Sequence, residues 1–71
     1  MMYLVKQSGG AICEMYEVEI ENTVYDNEYR IINNDVVFAT YATQEKRDEE
    51  MRLLIMAIRC GERMYQFRKD E

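Results

Sequence analysis

Hydrophobic and polar positions alternate most cleanly at residues 16–21, where Tyr16, Val18 and Ile20 are interleaved with Glu17, Glu19 and Glu21. A period of two sends the two sets to opposite sides of a β-strand. One side packs inward and the other displays three carboxylates to water. A strand covered on one face only belongs to an antiparallel sheet. The apolar run at residues 2–6 reads as an opening strand. Gln7-Ser8-Gly9-Gly10 reads as a turn whose glycines supply positive φ, and residues 11–13 as a short second strand. Breaks fall at Asn22-Thr23 and Asp26-Asn27. Residues 28–32 and 36–41 are strand-like, and Asn33-Asn34-Asp35 between them tolerates the left-handed conformation of a tight turn. The pattern predicts a β-hairpin over 28–41.

The period then changes to that of a helix, predicted over 43–60. Thr43 can cap its first turn, Glu45 sits near the positive end of the dipole, Arg59 near the negative end, and Gly61 follows where a left-handed cap is needed. Met51, Leu54, Ile55 and Ile58 form the stripe expected to face a sheet. Residues 53–58 are apolar at every position. That is more apolar circumference than one small sheet covers, so Leu53, Met56 and Ala57 are expected to form an interface between copies of the chain. Residues 64–67 read as a short closing strand, and residues 68–71 are expected to fray. The fold class is α+β: one domain over 1–71, with a small antiparallel sheet of four to five strands packed against one long helix.

Length changes the picture because 71 residues leave burial only narrowly ahead of chain entropy. Such domains need a staple, a metal, unusually good packing or self-association. Cys13 and Cys60 are expected to be small, buried side chains of a cytoplasmic protein, kept reduced as a bacterial cytosol would keep them. The opening apolar run is too short for a signal peptide or a membrane span. Charge matters through its placement. Residues 1–42 hold seven acids against two bases, and residues 43–71 hold seven of each, so the whole excess of −5 lies in the first part. Such a surface repels phosphate, so no direct nucleic-acid partner is expected; it either attracts a basic protein groove or simply keeps the protein in solution.

The absent chemistry is equally informative. Without histidine there is no Ser-His or Cys-His nucleophile. Two cysteines 47 positions apart make no metal-binding pair, and Gly9-Gly10 lacks the lysine of a phosphate-cradling loop. No cofactor or metal is expected. Glu17, Glu19 and Glu21 would lie about 6.5–7 Å apart along a strand, but a flat wet face cannot separate their pKa values for acid–base work. Six tyrosines offer contact area with a polar tip. Tyr16 and Tyr41 are expected in the core, and Tyr25 and Tyr29, beside the acidic segment, at a contact surface. Arg47, Arg52 and Arg63 could converge between copies on an anion.

The segment Ala39-Thr40-Tyr41-Ala42-Thr43-Gln44-Glu45-Lys46-Arg47, with the opening Met2-Tyr3-Leu4-Val5-Lys6-Gln7 and its Gly turn, resembles a family of small, mostly uncharacterised proteins of bacteria and their phages. Their pattern is a strand ending in G-x-Y-x-[ST]-x-E-x-[RA] that enters one amphipathic helix. Here Ala39 stands where Gly is usual, and Asp48 where Ala is common. The pattern is structural and names no catalytic residue. The resemblance implies a phage or prophage setting, in which short proteins often inhibit a host protein. The sequence therefore leads to a non-enzymatic accessory protein that binds a host protein, a defence component among the candidates, through Glu17, Glu19, Glu21, Tyr25 and Tyr29. The alternatives are an oligomeric sponge for a nucleotide signal and a self-assembling structural subunit.

Overall fold

The computed structural model describes residues 2–23 and 27–70. Six strands and one helix follow in the order β1 (Tyr3–Val5), β2 (Ile12–Glu14), β3 (Val18–Thr23), β4 (Glu28–Asn33), β5 (Val36–Tyr41), α1 (Gln44–Arg59) and β6 (Met64–Gln66). The class is the expected α+β. The strands divide between two three-stranded sheets, β2-β1-β6 and β3-β4-β5. All neighbours are antiparallel except β6, which returns after the helix to lie parallel to β1.

Side-chain amides explain why there are two sheets rather than one. At the first seam the Gln7 N–H donates to the Phe38 carbonyl at 2.8 Å, and the Gln7 amide donates to Thr40 O and accepts from Thr40 N, each at 3.0 Å. At the second, Asn33 is 2 % exposed. Its Oδ1 accepts the Tyr16 N–H at 2.9 Å and its Nδ2 donates to the Glu14 carbonyl at 3.0 Å. Each amide satisfies backbone groups that a continuous ladder would otherwise pair, as buried peptide groups require.

The hairpin forms where the sequence places it. Asn34 and Asp35 have φ of 52° and 65°, the double positive φ of a tight two-residue turn. Ile31 pairs with Ala39 and Ile32 with Val37, so Phe38 is an extra residue on β5. This bulge lets the neighbours Phe38 and Ala39 both be buried. The core comprises Met2, Leu4, Ile31, Phe38, Ala39, Tyr41, Leu54 and Phe67, with Met15, Val18, Met51, Ala57 and Tyr65 against it.

The helix ends also obey the sequence. The Thr43 hydroxyl accepts the Lys46 N–H at 3.2 Å. At the other end Gly61, at φ 75°, follows Cys60. The Glu62 N–H reaches Ala57 O at 3.0 Å and the Gly61 N–H reaches Ile58 O at 3.1 Å, the paired bonds of a Schellman cap. The inward face differs from the expected stripe. Arg47, Glu50 and Leu54 are buried, whereas Ile55 and Ile58 are 44 % and 43 % exposed. Charged side chains line the inner face because each finds a partner there.

Three further expectations are corrected. Tyr16 is 78 % exposed, because β3 begins only at Val18 and the residues before it are tied by Asn33. Cys13 and Cys60 are exposed, one on an outer strand and the other at the helix cap. The tail is ordered through Asp70: Phe67 is 1 % exposed, and Asp70 accepts the Ala42 N–H and the Lys46 ammonium, each at 2.9 Å. No helix of the described residues is long and apolar enough to cross a membrane.

Candidate functional site

Glu17, Glu19 and Glu21 are all exposed. Glu19 and Glu21 lie on β3, an outer strand of the β3-β4-β5 sheet, and Glu17 just before it, on the face away from the helix. The register proves the facing: Ile20 lies opposite the buried Ile31, and Glu19 and Glu21 lie opposite Ile32 and Arg30 on the other side. Two of the acids crowd one another. A hydrogen bond with Glu17 raises the pKa of Glu19, and the charges of Glu17 and Asp35 push it further in the same direction. The linkage sign is unfavourable at neutral pH. A raised carboxyl favours its protonated form in the fold, so its stabilising effect is present in acid and lost as pH rises through the folded pKa. A cation meets the far end of this row. Arg30 contacts Glu21 at 3.4 Å and Glu28 at 2.7 Å.

Tyr29 does not join this surface. It pairs with Asn22, so it lies on the helix side, where the Arg47 guanidinium sits 5.4 Å from its ring centre. Tyr25, the other tyrosine expected at the contact, falls outside the described residues.

The three arginines proposed for an anion differ in their surroundings. Arg47 is buried, bonded to the Asn22 side chain and to Asp48 at 3.0 Å. Arg52 is exposed and forks onto Glu49 at 2.6 and 3.0 Å. Arg63 is exposed in the turn after the helix, its carbonyl accepting the Tyr3 N–H. Met56 is 47 % exposed, and Leu53 and Ala57 are half-buried. These three line a shallow apolar groove of about 430 Å³ together with Cys60, Met64 and Tyr65.

Sequence reasoning missed a second feature. Glu50, 1 % exposed, accepts the Tyr65 hydroxyl at 2.7 Å, the Arg68 N–H at 2.9 Å and Arg68 Nε at 2.7 Å. Burial first, then the Glu50 charge at Tyr41 and the Glu50 hydrogen bond at Tyr65, raises both phenols well above their ordinary range. Beside this cluster an open trough of about 950 Å³ runs between the Gly9 turn and the tail, its rim carrying both signs in Glu45, Lys46, Glu49, Lys69 and Asp70. The only sequence signal for Glu50 was its place between Arg47 and Leu54 on one helical face. Among the described residues no buried side-chain nitrogen or oxygen lacks a partner, and no cluster of three metal-ligating side chains is present. No protein-family model, curated protein or solved structure matches the chain.

Proposed function

We propose that this chain is a non-catalytic binding protein that engages a basic surface of a partner protein through the outer face of β3. In the phage or prophage setting implied by the resemblance, the partner is a host protein that it inhibits. One observation carries the reading. The acids of β3 are crowded enough to raise the Glu19 pKa, and a cationic partner relieves that repulsion while gaining charge complementarity. Glu17 and Glu19 are therefore the centre of the site, and Glu21, already paired with Arg30, its margin.

Reversing Glu17, Glu19 and Glu21 to lysine is expected to lower partner capture from bacterial lysate at least tenfold. Wild-type binding should weaken with salt. It should also weaken as pH falls into the upper carboxylate range, because Glu19 takes up its proton early. Capture that survives the triple reversal removes this assignment. Self-association is a second reading, supported by the exposure of Met56 in the groove beside Leu53 and Ala57; sedimentation as a monomer at high concentration would eliminate it.

A further inference from the structure

We infer that the partner is bound by strand addition: an extended segment alternating basic and apolar side chains pairs with the open edge of β3. This inference deepens the acidic-face reading and rests on it.

The backbone comes first. In the β3-β4-β5 sheet, β3 is an outer strand, and no strand pairs with its far edge among the described residues. The Asn34 N–H donates to Glu17 O at 2.9 Å, and the register continues from Val18 opposite Asn33. That sets the phase of the ladder. Glu17, Glu19 and Glu21 exchange bonds with the hairpin, and the peptide groups of Val18, Ile20 and Asn22 point to the open edge. An unpaired edge of this kind is a template for another strand.

The second observation is independent of the acids. The helix packs on β4 and β5, which leaves the helix side of β3 partly bare. Ile20 is 52 % exposed there, beside the buried Ile31. Arg47 anchors the helix to Asn22 at one end of β3. Four helical residues rise about 6 Å and two strand residues about 6.6 Å. Met51 and Ile55, on the flank of the helix that carries Arg47, therefore have nearly the spacing of Ile20 and Val18 on β3, and Ile58 continues that flank. Ile55, Ile58 and Tyr16 are exposed. The sheet is one strand too narrow for its helix. Apolar side chains of a fourth strand would fill that ledge, and its alternate side chains would then stand beside Glu17 and Glu19. Basic residues suit those positions. A second copy of β3 does not, because its own glutamates would face the first row across the pair.

The test uses a synthetic nine-residue peptide alternating lysine and valine, titrated into the whole chain with amide exchange followed by NMR. The expected result is at least tenfold slower exchange at Val18, Ile20 and Asn22. N-methylation of one alternate set of peptide residues should abolish binding, and methylation of the other set should leave it, since only one set turns its N–H groups to β3. Equal binding by both methylated peptides, or by a peptide of the same composition with lysines and valines in separate blocks, overturns strand addition. So does tighter binding of a peptide copy of residues 16–23, which would make the occupant a second copy. If no peptide binds while triple reversal still abolishes partner capture, strand addition fails and the acidic-face reading stands; if reversal leaves capture intact, the acidic face itself fails.

Discussion

Replacing Phe67 with alanine will destabilise the chain by about 4 kcal/mol, within the range of about 3–5 kcal/mol for truncating a buried phenylalanine. Phe67 lies just beyond β6, at the end of the predicted closing strand and beside the residues 68–71 that a sequence reading leaves to fray. It is nevertheless 1 % exposed, edge-on to Tyr65 with ring centres 5.4 Å apart and to Phe38 at 6.4 Å. Its N–H extends the parallel pairing of β6 with β1 by donating to Val5 O at 3.2 Å. The residue therefore closes the space between the two sheets and the helix. At roughly 0.05–0.15 kcal/mol per residue, a domain of this length has about 4–11 kcal/mol in all. The loss is of the same order, so the variant should unfold at a much lower urea concentration with little change in the slope of the transition. A shift equivalent to less than 1 kcal/mol would mean that the tail lies on the core without belonging to it.

The contrast with what was legible beforehand has a physical basis. The helix bounds were readable because caps are local: the Thr43 hydroxyl meets Lys46 three residues on, and Gly61 closes a Schellman turn over the last few residues. The hairpin was readable for the same reason, since Asn34 and Asp35 set the turn by their own backbone preference. The alternation at 16–21 correctly separated the glutamates from Ile20, but alternation reports sides, not coverage. Ile20 remains exposed because the helix lies over β4 and β5, and Tyr16 because it precedes β3. The inward place of Arg47 and Glu50 is not legible, since their partners, Asn22, Tyr65 and Arg68, lie 15 to 25 positions away. A hydrophobic period cannot register a charge whose hydrogen-bond partners come from another element. The division into two sheets was invisible for the same reason, because Gln7 and Asn33 act across the fold through side-chain amides.

Glu50 is where this blind spot has its largest energetic consequence. Glu50→Ala is expected to cost about 3 kcal/mol, because it leaves the Tyr65 hydroxyl and the Arg68 N–H without their acceptor, at about 1–3 kcal/mol for each unsatisfied buried group. The ion pair itself contributes little of this. The Arg68 side chain is 60 % exposed, and a pair open to water on one side is screened. Arg68→Ala should cost less, about 1–2 kcal/mol, since it takes the Nε donor from Glu50 Oε1 while the Tyr65 hydroxyl and the backbone N–H of residue 68 still reach Oε2. Glu50→Gln falls between them: its single oxygen cannot accept from all three donors, and its amide adds hydrogens where donors already point. Urea midpoints should then rise in the order Glu50→Ala, Glu50→Gln, Arg68→Ala. If Arg68→Ala instead proves as damaging as Glu50→Ala, the tail is held by charge attraction at the surface, and the buried hydrogen bonds are incidental to it.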